Sequence, residues 1–284
     1  MSYMLWQLIR DVYQNLGRSE IGTASGGTTT TLVDGSLAGR GRDDAYNRGT
    51  VLIFSADGEA PEGEIRQVAD YEGSTGTFTF ENAMNAAPAA GDLYLRVDPY
   101  FPYRSIIEQV NTALVKLGEI TLVDSSTLET AENQTEYAAA VTWKRRPPLR
   151  VDLQNQPDTA NDNRWETIHW WEYVPAAAGA EGRIVFDRPL PGGRKLRVWY
   201  IASHPRVSAF DDEINELIHP ALAAAATTVE ALTWQNARIS GSSKALSGQL
   251  EAAKADLEQI KRLYPTWKPV RQSRMRLAGL GRAR

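Results

Sequence analysis

The chain has 284 residues, 42% hydrophobic and 23% charged, with a net charge of −4. This composition belongs to a folded protein with room for two compact units, or for one bundle carrying large insertions. The absence of cysteine excludes disulfides, thiolate nucleophiles and Cys-based zinc sites, and fits a chain made in a reducing cytoplasm.

The start, Met1-Ser2-Tyr3-Met4-Leu5-Trp6-Gln7-Leu8-Ile9-Arg10, has neither a basic n-region nor a continuous apolar run, so no secretory leader is expected. No stretch approaches the roughly 20 apolar residues of a membrane span. Leu5, Leu8, Ile9, Val12 and Leu16 line one helical face, and Gly17 supplies the stop. Short β-type runs separated by turns follow, at Val51–Phe54, Ile65–Val68, Thr77–Phe80 and Leu93–Val97. A second helix is expected after Pro102, on Ile106, Ile107, Val110, Leu114 and Leu117.

The next β-rich stretch predicts strands at Val141–Trp143, Leu149–Leu153, Trp165–Val174, Arg183–Phe186 and Lys195–Ile201. The last two are expected to form a hairpin across Pro189-Leu190-Pro191-Gly192-Gly193. Asp211 or Asp212 is expected to cap a helix through Leu232. Pro220, inside that helix, predicts either a kink or a new helix starting near it. Asn236–Ser243 turns the chain. Leu246, Leu250, Ala253, Leu257, Ile260 and Tyr264 then step by 4, 3, 4, 3 and 4, a narrow helical seam.

These elements predict an α+β protein: an antiparallel long-helix bundle with two β-rich insertions and an extended C-terminal tail. Residues 1–18 are the first bundle helix, and 19–98 an inserted antiparallel β-domain. Residues 99–135 are the second helix and a loop, and 136–207 the second β-rich region. Residues 208–264 are a long helical hairpin, and 265–284 the basic tail.

Few residues invite chemistry. His169, His204 and His219 lack metal-ligand spacing and read as structural. Asp43-Asp44 reads as a solvated turn, and Asp211-Asp212-Glu213 as charge at a helix N-terminus. Gly22–Gly27 lacks the Gly-Lys-Ser/Thr of a phosphate loop, and Gly39-Arg40-Gly41-Arg42 precedes no helix, so both read as loops. Ser242 and Ser243 have no His and Asp partners in view. No catalytic residue, metal or cofactor is expected, and the chain reads as a non-enzyme.

Two features point to partners instead. Trp165, Trp170, Trp171 and Tyr173 crowd one expected strand, near Trp143 and Trp199. Alternation would put Trp165, His169, Trp171 and Tyr173 on one face and Trp170 on the other. Such a strand fits burial in the core or in subunit contacts, with Trp165, Trp170 and Trp171 as candidate interface residues.

The second feature is a charge asymmetry. No acidic residue follows Glu258, whereas eight basic residues do, leaving 23 basic against 35 acidic residues in the body. Three readings are open for this tail: a solvated end, a phosphate binder, or a segment that docks on an acidic partner. Apolar residues interspersed among the charges favour docking on protein. The candidate contacts are Arg262, Trp267, Lys268, Arg271, Arg274, Met275 and Arg276.

The layout also carries a resemblance. The stretches concerned are Tyr103-Arg104-Ser105-Ile106-Ile107-Glu108-Gln109-Val110-Asn111-Thr112-Ala113-Leu114 and Leu190-Pro191-Gly192-Gly193-Arg194-Lys195-Leu196-Arg197-Val198-Trp199-Tyr200. With Asp211-Asp212-Glu213-Ile214 and the alanine-rich helix pair, they are similar to neck proteins of tailed bacteriophages. Thr31-Leu32-Val33-Asp34 and Tyr71-Glu72-Gly73-Ser74-Thr75-Gly76-Thr77 resemble β-modules of phage virion proteins. The closest resemblance is to head-to-tail connector adaptors.

That resemblance implies a virion structural protein made in the host cytoplasm and located in the neck. It implies a homo-oligomeric, dodecameric ring below the portal protein, a tail or stopper partner on the other side, and DNA passing through the channel without sequence specificity. It also implies a C-terminal segment that reaches the portal. Many members are smaller helical proteins, so the two β-regions are a departure. The alternative is another virion component, a tail or fibre-attachment protein with an aromatic partner- or glycan-binding face.

Overall fold

Two periods run through the sequence, 3.6 for helices and 2 for strands, and the computed structural model shows where each holds. It describes residues 2–56, 62–140, 143, 147–155, 164–175, 182–239 and 244–265. In chain order these form β1 (Tyr3–Met4), α1 (Leu5–Asn15), β2 (Ser19–Thr23), β3 (Gly26–Thr28), β4 (Thr31–Val33), β5 (Thr50–Ser55), β6 (Ile65–Glu72), β7 (Thr77–Phe80) and β8 (Leu93–Val97). Then come α2 (Tyr103–Lys116), β9 (Glu119–Glu129), β10 (Glu136–Ala138), β11 (Arg150–Gln154), β12 (Trp165–Ile168), β13 (Trp171–Val174), β14 (Arg183–Phe186), β15 (Lys195–Ser203), β16 (Glu213–Ile214), α3 (Pro220–Arg238) and α4 (Lys244–Leu263).

The expected long-helix bundle is overturned. The described residues are mostly β, in four sheets, with only four α-helices. Apolar stripes mark single elements, and between them short period-two runs separated by close turns form the strands of four sheets.

The chain divides into two compact units. The first takes the described residues up to 118 and from 204 to 265. Its helices gather around α3, which packs against α1, α2 and α4. Buried Ala223, Ala224, Ala225, Ala226 and Ala231 give α3 a small-residue surface on several sides, and small side chains let neighbouring helix backbones approach closely. α1 buries Leu5, Leu8, Ile9 and Val12, and α2 buries Ile106, Val110 and Leu114.

Of the two outcomes expected at Pro220, a fresh helix is the one observed. Pro220 opens α3, and the His219 side chain caps it by accepting from the Ala221 N–H at 3.2 Å. Proline suits a first helical position because its missing N–H would have no partner there. The cap expected at Asp211 or Asp212 is therefore corrected. Asp212 accepts from the N–H groups of Ser208 and Ala209, closing a turn ahead of β16, which pairs antiparallel with β1.

The same unit holds a seven-stranded sheet in the order β2-β8-β5-β6-β7-β4-β3. Its two end strands are consecutive in the chain and separated only by Ala24 and Ser25. The Ala24 N–H donates to the Asp92 carbonyl on one side, and the Ser25 N–H to the Val33 carbonyl on the other. The chain thus passes directly from one end of the sheet to the other. Leu32, Val51, Ile53, Tyr71, Phe78 and Tyr94 are among the residues of its core.

The loop expected at Gly22–Gly27 is accordingly mostly strand. Gly22 is required where it stands, since a Cβ there would lie 2.5 Å from the Tyr94 ring. Gly76 has φ +69°, and a Cβ would lie 2.2 Å from the Asp34 carbonyl oxygen.

The second unit, the described residues from 119 to 203, is a two-sheet sandwich. One sheet runs β10-β14-β13 and the other β12-β11-β15-β9, all pairs antiparallel. Tyr137, Ile184 and Phe186 from the first meet Val151, Leu153, Ile168, Leu196, Val198 and Tyr200 from the second in one buried cluster.

Three local expectations fail here. The Trp165–Val174 strand breaks at His169 and Trp170, and its halves join different sheets. β14 and β15 do not pair, so Pro189–Gly193 is a crossover between sheets and not a hairpin. No strand includes Trp143, which sits in a turn and is 2% exposed; residues 141 and 142 lie outside the described residues.

Candidate functional site

Strand alternation sets the chemistry of the second unit's surfaces. In β11, Val151 and Leu153 face the core, so Arg150 and Asp152 take the opposite side. In β15, Leu196 and Val198 face inward, which leaves Arg197 and Trp199 outside. Register then places Arg150 opposite Trp199 and Asp152 opposite Arg197, with Thr167 of β12 on the other flank of Asp152.

Asp152 is fully buried and accepts from four side chains. Oδ1 takes Arg150 Nε at 2.5 Å and Thr167 Oγ1 at 2.9 Å. Oδ2 takes Arg197 Nε at 2.9 Å and Trp199 Nε1 at 2.8 Å. Burial pushes the carboxyl pKa up, but the bonds from Arg150, Trp199, Arg197 and Thr167 outweigh it and hold the group below its ordinary value.

Around this carboxylate the cations and indoles alternate. Arg150 stands 5.5 Å from the Trp199 ring centre, and Arg197 stands 5.3 Å from Trp199 and 4.6 Å from Trp165. These spacings fit cation–π attraction. Two guanidinium groups share one carboxylate, so the cluster carries one positive charge in excess. It also reaches solvent: the Arg150 and Arg197 side chains are 32% and 24% exposed. Val123, opposite Trp199 on β9, is 43% exposed. Such a surface of indole, guanidinium and valine can bind a partner bearing carboxylates; arginine and tryptophan are enriched where binding energy concentrates.

The outer face of the three-stranded sheet has the opposite character. Glu136, Val185 and Glu172 lie in register across β10, β14 and β13. Both glutamates are exposed and Val185 is half-buried. Arg183 pairs with Glu136 at 3.1 Å.

In the first unit, α4 buries only Leu246 and Leu250, while Ala253, Leu257 and Ile260 of its seam are half-buried. Tyr264, just past its end, stacks on His219 at 3.6 Å between ring centres. A cavity of about 320 Å³ lies among Leu16, Ala225, Thr228, Leu232, Ala252 and Ala253. The last turn carries Lys261 and the exposed Arg262. Trp267, Lys268, Arg271, Arg274, Met275 and Arg276 lie outside the described residues.

The three tryptophans singled out from the sequence part company. Trp165 belongs to the outer cationic face. Trp170 and Trp171 pack against the core cluster. Trp170 lies edge-on to Phe186 with Arg188 4.4 Å from its ring, and Trp171 Nε1 donates to the Ile168 carbonyl. Arg150, Asp152 and Arg197 went unnoticed. Their signal was charge at every second position of otherwise apolar strands, in Arg150-Val151-Asp152-Leu153 and Leu196-Arg197-Val198-Trp199.

His204, Asp43 and Asp44 have structural partners. His204 is buried; Nδ1 lies 2.6 Å from the Pro205 carbonyl, and Nε2 accepts from the Asn215 N–H at 2.9 Å. Burial lowers its pKa, against the Pro205 bond. Asp43 accepts from the Gly73 N–H, and Asp44 from the Asn47 side chain. His169 is exposed at the break between β12 and β13. Among the described residues no group of three His, Asp or Glu could hold a metal, and no helix is long and apolar enough to cross a membrane. No family model matches the chain, and no characterised relative does either.

Proposed function

We propose that this chain is a structural protein of a tailed-phage neck, an adaptor subunit that assembles as a ring between the portal and the tail and lets DNA pass through. The observation that carries this reading is α4. It is a long helix exposed over most of its surface, basic in its last turn, leading into an acid-free segment in which apolar residues recur. That combination suits an element that docks on another protein and orders there.

The three helices packed around the alanine-rich α3 suit the helical part of the adaptor resemblance, from which the two β-bodies depart. The helices are a minor part of the fold, so the β-bodies supply most of the surface for neighbours.

The test is to mix the protein with its portal and image the complex. A twelve-fold ring beneath the portal supports the reading, as does loss of binding when 265–284 is deleted from a body that still melts like the parent. Unchanged binding by that deletion sinks the docking role, and the absence of any ring sinks the adaptor reading.

A further inference from the structure

We propose that the outer face of the four-stranded sheet binds the outer face of the three-stranded sheet on a second copy of this chain, head to tail. Charge complementarity carries the inference. Around Trp199 at the centre of one face, Arg150 and Arg197 exceed Asp152 by one positive charge, and farther along Lys195 is matched by Glu129 in register. On the other, Glu136 and Glu172 exceed Arg183 by one negative charge.

The layouts also match. Glu136 and Glu172 are two strands apart, about 10 Å, with Val185 between them. Arg150 and Arg197 are diagonal neighbours about 7–8 Å apart beside Trp199. A carboxylate can therefore meet each guanidinium while Val185 lies on the indole and Val123. Neither set is self-complementary, so a two-fold dimer through either face would oppose like charges.

The two faces lie on opposite sides of one sandwich. A contact from one to the other is heterologous and repeats from copy to copy, closing as a ring when the rotation allows. The inference rests on the ring-subunit reading for its use, since it names the contact between neighbours in such a ring. Faces of three or four strands are small, so the contact is weak for the free protein and is strengthened when copies gather on a template.

The experiment is sedimentation velocity of the full chain across a concentration series extending into the high micromolar range. The parent is expected to form growing oligomers that weaken with salt. Two variants are compared: Glu136→Lys with Glu172→Lys, and Arg150→Ala, each shown by its melting curve to be folded at the temperature of the run. Each alone should associate at least about tenfold more weakly. Mixed one to one, they retain one good face apiece, so the mixture should give a heterodimer and nothing larger.

Should Arg150→Ala unfold the unit, Val123→Glu, on an exposed position of the same face, replaces it. A parent that stays monomeric throughout overturns the proposal, as do variants that associate like the parent or a mixture that restores full oligomers. A monomeric parent whose cationic face instead binds a short single-stranded DNA in an Arg150-dependent way assigns that face to nucleic acid and likewise overturns it. A twelve-fold ring on the portal, built equally well by both variants, removes this contact and leaves the adaptor reading intact. Self-association that behaves as expected, without any ring on the portal, does the reverse.

Discussion

Replacing Asp152 by asparagine should cost the second unit about 3 kcal/mol. The carboxylate accepts four bonds, two on each oxygen. The amide keeps one acceptor and turns a donor toward two of the groups that now donate. Two charge-assisted bonds are worth about 1.5–3 kcal/mol each. The arginines are a quarter to a third exposed, so water roughly halves that sum. A donor left buried without an acceptor adds about 1 kcal/mol. Urea unfolding followed by tryptophan fluorescence suits the measurement, because Trp143, Trp165, Trp170, Trp171 and Trp199 all belong to this unit. Its melting point should fall by about 10–20 °C. Thr167→Val, which removes one neutral donor, should cost no more than about 1 kcal/mol. The acid limb gives a second reading. A carboxyl whose folded pKa is depressed contributes stability above its ordinary pKa and loses it as pH falls through the folded value. The asparagine variant should lack that loss. A variant within about 0.5 kcal/mol of the parent, with the acid limb intact, would refute the placing of Asp152 at the centre of the face.

Gly76→Ala should destabilise the first unit by about 3 kcal/mol, combining about 1–2 kcal/mol for a left-handed alanine with the close approach to the Asp34 carbonyl. Gly193→Ala, also at positive φ but with nothing near its Cβ, should cost only the first part, and equal melting of the two would refute the steric argument. His204, held neutral by burial, should make the first unit lose stability as pH falls below about 6.5, the unfolded value, toward its lower folded pKa. A His204→Gln variant with the same pH profile between about 7 and 5 would show that another group titrates there.

The first-turn residues of the helices were legible because local rules decide them. The stripe in Leu5, Leu8, Ile9 and Val12 marks α1, and Pro220 marks the start of α3. Most strand positions were legible for the same reason. The tryptophan-rich strand was misread, since nothing in Trp165–Tyr173 says that its halves leave for different sheets. The turn at Pro189–Gly193 looks like a hairpin by composition, yet β15 finds its partners in β9 and β11, which lie 41 or more residues upstream in the chain.

The cationic face with which the site begins illustrates the division. Sequence alone determined the alternation that sends Arg150, Asp152, Arg197 and Trp199 to one side of their strands, because a strand's period is a property of its backbone. It also determined the charge asymmetry beyond Glu258, which no fold can change. Only the tertiary structure decided that β11 and β15 are neighbours in a register that brings both arginines and an indole onto one buried carboxylate. Strand order and register are set by which apolar faces can be buried together across the whole unit, and that choice is made by packing between residues far apart in the chain.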